Sequence, residues 1–591
     1  MEQSVLRNYY QRELRILRED GAAFAARYPK VAPRLGLAPG QHPDPMVERL
    51  LESLAYLTAR VRQESEAELP ALAGQVLGLM CPSLAAPVPS VSVVSFAPDY
   101  ALLNKLDGGW AVPAGTALYQ EPEGDSPAIR WRTGWPLVLS PARVTAASLA
   151  SLGLKEFGGE EGECAVLRLR FSGVTPGQTM RLFLKGDRFS TFPLHDWAHS
   201  AAHRLFLVDD VERPDRRFIA QPLPREFLRP AGLNPDDLVL PGRGQSWAGF
   251  RLLQEYFACP ERFLFWELGP WPSMDAFPNG EADLVLLLTE PPPEGLELRP
   301  EMFDPAAVPV VNLFERPAEP LRLDHRRSGY PLSADRRRDD STEIHSLLSV
   351  TALAAGGRSF PVPHYADRQP GEEGLCWQMR LRPAPDERGT RATLFFHGGD
   401  MAEEVTIAAR ALCTNRHWAA RRGCGRLSAE AELPAVPTLA LPPSPQRDPV
   451  WAGEARWRLV GNFALAQESL SGPEGRRALQ NILGQYAPPG DAYGQRQIAG
   501  VTKLSAEPLF HPLRPSPDCP MGGLARGLNI DLQLDEEAFR GGSPFIFAGV
   551  LEVFMGLRSA VNCLTRLRLF LDGRKGVYHQ WPPRCGDRQL L

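Results

Sequence analysis

The sequence predicts a multi-domain α+β protein, rich in β-strand and opened by an amphipathic helical region. Three observations carry this. Apolar residues recur at helical spacing through the first eighty positions. From Val88 onward the pattern shifts to short alternating runs punctuated by proline and glycine. The length of 591 residues exceeds what one hydrophobic core commonly organises.

In the opening stretch, Tyr10, Leu14, Leu17, Gly21, Phe24 and Tyr28 alternate spacings of four and three. That spacing lines them along one helix stripe. Pro29 ends this helix, because it disfavours helical geometry at Tyr28 and donates no N–H. A second helix starts at Asp44, whose carboxylate can cap the first turn, with Pro45 suited to the first helical position. Val47, Leu50, Leu51, Leu54, Leu57 and Val61 form its apolar stripe. A third helix is expected over Ala71–Leu79, ending before Pro82. Amphipathy says that a face is buried, not in what. These helices suit either a closed bundle or a surface completed by another protein.

Strands are expected at Val91–Phe96, Ala111–Tyr119, Trp135–Leu139, Cys164–Phe171, Arg181–Leu184 and Ala282–Thr289, with helical insertions at Phe189–His203 and Gly249–Phe257. A further β-rich segment holds Val308–Phe314, Ile344–Thr351, Trp377–Leu381, Thr393–His397 and Glu404–Leu412. The proline-rich run Leu433–Pro449 reads as an extended crossing or linker. Beyond it lie a helix over Glu474–Tyr486, a strand at Ile530–Leu534, a helix over Phe545–Leu557, and closing strands at Leu564–Leu571 and Gly576–Trp581. The expected division is 1–87 (helical), 88–307 (β-rich with helical insertions), 308–440 (β-rich) and 441–591 (α+β).

Composition excludes several classes. A hydrophobic share of 43% and a charged share of 23% are globular values. A net charge of −5 without a basic domain argues against nucleic-acid binding. Nine scattered cysteines, without a C-x-x-C pair, suit reduced thiols in the cytoplasm. The N-terminus lacks a signal-peptide layout. The most apolar window, Phe545–Leu557, is shorter than the roughly 20 residues a bilayer crossing needs.

The sharpest enzyme-like feature is HDWAHSAAH, where His195, His199 and His203 recur every four residues. On one helix face such imidazoles can hold zinc, and Asp196 stands where zincins carry a glutamate base. A zinc-dependent hydrolase is therefore the competing class. The plainer reading is that these histidines cap, hydrogen-bond or face solvent, since a site needs four ligands with supporting partners. Cys413, His417 and Cys424 lack a fourth ligand. The run PGRGQS from Pro241 matches neither a phosphate loop nor a nucleophile elbow. Asp324 and His325 lack a nucleophile. Arg336–Arg338 run straight into Asp339 and Asp340, which reads as a solvated loop. No catalytic set closes, and no metal or cofactor is implied.

Ordered blocks along the chain carry a resemblance. They are YYQREL (Tyr9–Leu14), RLGL (Arg34–Leu37), DPMVERLLE (Asp44–Glu52), WAGFRLLQEYF (Trp247–Phe257), FLF (Phe263–Phe265), VPVVNLF (Val308–Phe314), EPLRLDH (Glu319–His325), CTNR (Cys413–Arg416) and WPPRCGDRQLL (Trp581–Leu591). Together they resemble the TssF family, also called ImpG or VasA, of the bacterial type VI secretion system. The resemblance implies a non-enzymatic baseplate subunit, similar to the wedge proteins of contractile phage baseplates. Membership of a phage-like contractile particle is the neighbouring alternative. It further implies that two TssF copies join one TssG in a wedge, with TssK, TssE and the central spike or hub as further partners. The protein would be cytoplasmic and reach the inner membrane only through partner proteins. Under that reading Tyr9, Tyr10, Leu14, Leu17, Phe24, Val47, Leu50 and Leu54 are the candidate partner contacts. Two copies in one wedge would meet different neighbours, and Leu433–Pro449 is where adaptation is expected to cost least.

Overall fold

The computed structural model describes residues 2–32, 44–106, 108–150, 162–209, 220–242, 247–274, 277, 281–354, 357–369, 373–384, 389–398, 405–451, 453–464, 474–487, 490–513, 523–559 and 563–586. The chain is α+β and β-rich, and it divides into two compact units. One unit comprises 1–80 with 450–462; the other comprises 81–449 with 463–591.

The small unit is built on two long helices, Glu2–Arg27 and Pro45–Met80. The first stops one residue short of Tyr28, as Pro29 requires. The second begins as expected: the Met46 N–H donates to Asp44 Oδ1 at 2.8 Å. The third expected helix is not separate. Residues 71–79 continue the second helix without a break, although Pro70 lies in its interior. Proline costs a helix one hydrogen bond and a clash, and in a 36-residue helix the turns on either side keep the axis going. The two helices pack through small residues, with Ala25, Ala55 and Ala59 buried. Arg62 pairs with Glu13 and Arg18 with Glu48 across the pair.

The large unit is a set of connected sheets. A six-stranded sheet takes Val91–Pro98 as its long strand, between Ala307–Val311 and Ala435–Leu439. The segments 88–307 and 308–440 thus share one sheet. The proline-rich run is part of this sheet and not a free linker. Ala435–Leu439 pairs with Val94–Pro98, Ser444 Oγ accepts the Val91 N–H at 2.9 Å, and Val88 and Arg447 exchange backbone hydrogen bonds. Its prolines sit at an edge strand and just beyond it, where a missing N–H costs no ladder bond.

A second sheet centres on Glu281–Leu288, whose side chains beyond Glu281 are all buried. Two facing sheets in 314–414 enclose a core of Tyr330, Leu332, Trp377, Leu394 and Ile407. At the C-terminal end, Val501–Leu513 and Gly523–Leu534 form a long hairpin, and Cys563–Leu571 runs parallel to its second strand. The crossover to that parallel strand is the buried helix Pro544–Arg558.

Candidate interaction surface and the buried joints

The eight candidate contacts all lie on the helical pair, and the structure sorts them. Tyr9, Tyr10, Leu14, Leu17 and Val47 are half-buried, whereas Phe24, Leu50 and Leu54 are exposed. On the second helix the packed stripe is Ala55 and Ala59, with Leu51, Thr58 and Arg62 half-buried. Met46, Leu50, Leu54, Leu57 and Val61 lie roughly 100–160° further round. They stand 70%, 70%, 47%, 59% and 63% exposed. The large apolar stripe thus faces outward, and the small-residue stripe makes the intramolecular contact. Met46 extends the stripe one turn beyond the residues the periodicity picked out.

The histidine run does not form a zinc face. The helix Arg188–Ser200 carries His195 and His199, but the chain leaves it at Ser200, and His203 sits in the strand Ala202–Val208. The period of four therefore breaks before the third histidine. His203 Nδ1 instead lies 3.0 Å from Glu163 Oε1. His199 stacks on Phe545, with ring centroids 5.6 Å apart. Burial holds its pKa well below the usual histidine range, and His195 and His579 add to this. Asp196 accepts from the Ser543 hydroxyl and from the Phe545 N–H at 3.3 Å, so it anchors the start of the helix Pro544–Arg558. Among the described residues no three metal-binding side chains converge, at this run or at Cys413, His417 and Cys424. The zinc-hydrolase reading is set aside on this geometry.

The other catalytic candidates resolve similarly. Asp324 accepts from the Tyr330 hydroxyl at 2.8 Å and the Arg326 N–H at 3.1 Å, which makes it a turn-former. Arg336–Arg338 form a short turn capped by Asp335. Gly244 and Ser246 of PGRGQS fall outside the described residues, as do RLGL and Asp587–Leu591. A cleft of about 320 Å³ lies between Tyr256, Arg447 and Tyr493. Its charges are paired among themselves, Arg188 with Glu261 at 2.9 Å and Arg447 with Asp491 at 3.0 Å.

Several sequence blocks meet in the interior. Asn312, from VPVVNLF, and Asn415, from CTNR, bind reciprocally. The Asn415 N–H donates to Asn312 Oδ1 at 2.7 Å, and Asn312 Nδ2 donates to Asn415 Oδ1 at 2.9 Å. Asn312 Nδ2 also reaches the Arg130 carbonyl at 2.6 Å, and the Arg130 N–H returns to Asn415 Oδ1 at 2.9 Å. Beside this joint Glu343 is buried, accepting the Thr390 N–H at 2.8 Å and Gln446 Nε2 at 2.6 Å. Burial pushes the Glu343 pKa up to about 7. Gly389 is required here: its φ is +86°, and a Cβ would lie 2.3 Å from Glu343 Oε2.

In WAGFRLLQEYF, Glu255 accepts the Val239 and Leu240 N–H groups at 2.9 and 2.8 Å and pairs with the fully buried Arg262. In the C-terminal block, Arg584 grips Glu552 with two bonds of 2.8 and 3.0 Å. The sequence marks these blocks, but only the fold shows that they are joints.

Three comparisons bear on this arrangement. The family described as "Type VI secretion system, TssF" matches residues 1–588. A curated relative, type VI secretion system component TssF1 of Pseudomonas aeruginosa, is 31% identical, covering 99% of each chain. Two solved structures share the fold. A chain in the cryo-electron-microscopy structure of a type VI secretion TssK–TssF–TssG baseplate subcomplex aligns with a TM-score of 0.73 at 22% identity, over 91% of this chain and 98% of that one. A chain in a type VI secretion baseplate complex aligns with a TM-score of 0.55 at 22% identity, over 97% and 98%. With the family matched from the opening helices to the C-terminal block, the chain belongs to the TssF family of the type VI secretion system.

Proposed function

We propose that the protein is a structural subunit of a type VI secretion baseplate and holds its neighbours through the outward stripe of its N-terminal helices. It is a structural component, not an enzyme. The observation that carries the contact is the line Met46, Leu50, Leu54, Leu57 and Val61, five large apolar side chains left in water on one helix. Contiguous exposed apolar surface of this kind marks a protein interface. Tyr9, Tyr10, Leu14, Leu17, Phe24 and Val47 lie on the same pair of helices and complete the proposed contact.

The solved subcomplex of similar fold contains TssG and TssK, which supports proteins of those types as partners. Two copies per TssG, contacts to TssE and the hub, and docking at the inner membrane through the secretion membrane complex complete the proposal. No helix among the described residues is long and apolar enough to cross a membrane, which is in keeping with attachment through partners. Force and rearrangement would pass through changed contacts rather than chemistry.

The test is co-expression with a TssG-type protein and mass determination of the purified complex. The full chain is expected to give two copies to one. The variant Leu50→Glu/Leu54→Glu/Leu57→Glu is expected to stay folded and lose the complex, because three charges enter a desolvated contact. An undiminished complex would move the interface away from this stripe.

A further inference from the structure

The hairpin strand Val501–Leu513 lies at one end of its sheet, and among the described residues no strand pairs with its outer side. An open edge of 13 residues presents a row of backbone groups to any chain that can pair with it. Which groups these are follows from the prolines. Pro508 opposes Leu528, and Pro512 opposes Leu524. A residue without an N–H cannot exchange both ladder bonds with its opposite number, so these are non-hydrogen-bonded pairs. The alternation then runs along the unbroken register from Lys503 to Leu513. Lys503, Ser505, Glu507, Leu509 and His511 bond inward to Gly523–Leu534. Leu504, Ala506 and Phe510 turn N–H and C=O outward, and Pro508 and Pro512 turn out a C=O alone.

The side chains on this edge carry a symmetric charge pattern. Lys503 and Glu507 are both exposed, and each stands two residues from Ser505 on the same sheet face. Lys503 makes no ion pair among the described residues. Glu507 comes only within 4.0 Å of Arg568, which is held more closely by Asp531 at 2.6 Å. A two-fold axis through Ser505 would therefore bring each lysine opposite a glutamate.

We propose that this edge pairs with the same edge of a second copy of the chain, antiparallel about a two-fold axis through Ser505. Lys503 of each copy opposes Glu507 of the other in a non-hydrogen-bonded pair, where side chains stand closest. Leu504 and Ala506 exchange both backbone bonds, once on each side of the axis. The next outward residues are Thr502 and Pro508. Pro508 has no N–H to give, and the Thr502 carbonyl already accepts Arg476 Nη1 at 3.4 Å, so the mismatch strands no acceptor. An axis through Ala506 instead would set Lys503 against Leu509 and Pro508 against Leu504, losing a charge pair and a backbone bond on each side. The contact is isologous: each edge closes the other, and pairing stops at two copies. The inference rests on the baseplate reading for the presence of two copies in one assembly.

The test is Ser505→Cys in the full-length protein, alone and co-purified with a TssG-type protein. Copper phenanthroline is the oxidant, and disulfide-linked dimer is read on non-reducing gels. Residues opposed in a non-hydrogen-bonded pair lie within disulfide reach. Ser505→Cys is therefore expected to crosslink to itself above the wild-type background set by the exposed Cys164, Cys424 and Cys585. Lys503→Cys should stay at background, because its two copies would lie about 13 Å apart along the strands. Adding Lys503→Glu to Ser505→Cys opposes two carboxylates and should slow crosslinking about tenfold. Adding Lys503→Glu/Glu507→Lys should restore the rate, with the Tm unchanged throughout. A two-to-one complex in which Ser505→Cys stays at background overturns the proposal and leaves the baseplate reading standing. A self-crosslink in the chain alone, without any TssG complex, does the reverse. Equal crosslinking by Lys503→Cys, or charge variants without effect, also overturns the proposal.

Discussion

The helical unit and the α+β unit break the usual burial rule in opposite directions. The helical pair leaves a stripe of large apolar side chains, Met46, Leu50, Leu54, Leu57 and Val61, in water and buries Ala25, Ala55 and Ala59. The α+β unit buries charge: Glu255 with Arg262, Asp283 with Arg168 and Arg170, and Glu343 beside Arg416. The difference separates two roles. An apolar stripe without an internal partner costs nothing once another protein covers it. A buried charge satisfied within the chain offers little to a neighbour, and it commits the chain to one arrangement of loops and strands.

The comparison breaks most readily at Arg262. Both members of its pair with Glu255 are fully buried, and Arg262 Nη2 also reaches the Gly232 carbonyl at 3.2 Å. Arg262→Ala leaves a buried carboxylate unpaired and should cost about 3–5 kcal/mol in denaturant unfolding. The triple substitution at Leu50, Leu54 and Leu57 should change stability by less than about 1 kcal/mol while abolishing assembly. A large stability loss from the triple variant would mean that its stripe serves the fold.

The next effect is smaller and falls at the asparagine joint. Asn415→Ala strips partners from the Asn312 amide and the Arg130 N–H in the interior. The expected cost is about 1–3 kcal/mol, with complex formation retained. A loss of assembly at unchanged stability would instead place this joint at an interface.

The two units also differ in how far they can be read from sequence. Helical spacing shows both long helices, and Asp44–Pro45 and Pro29 show where they start and stop. What spacing does not show is which stripe is inward. Leu50, Leu54 and Leu57 have the stronger pattern, but Ala55 and Ala59 permit the close helix approach. The separate third helix expected over Ala71–Leu79 failed for a related reason, since those residues continue the helix Pro45–Met80 through Pro70. In the α+β unit the strands were legible and their partners were not. Val91–Pro98 pairs with strands more than two hundred and more than three hundred residues away, and nothing local encodes that. Asn312 and Asn415 stood inside quoted blocks without a role until the fold joined them. His203 was misplaced because a period of four was extended past the end of its helix.

The last effects are in pH dependence, where the sign of the slope separates two kinds of burial within the α+β unit. His579 is held at about 4, against an ordinary 6.5, chiefly by burial and then by Arg225. The unfolded chain takes up this proton first. Its contribution is therefore complete above about pH 6.5 and falls as pH drops toward 4. His199 acts in the same direction. Glu343 does the opposite: its pKa rises from 4.5 to about 7, so the folded state holds the proton longer. Its contribution is complete below about pH 4.5 and is lost as pH rises through 7. Unfolding free energies of the wild type, His579→Phe and Glu343→Gln across this range should separate the two slopes. Relative to wild type, His579→Phe should become less sensitive to acid between pH 6.5 and 4, and Glu343→Gln should lose less stability between 4.5 and 7. Parallel curves for all three proteins would mean that neither group changes its proton on unfolding. The buried charge of this unit would then have to be argued from packing alone.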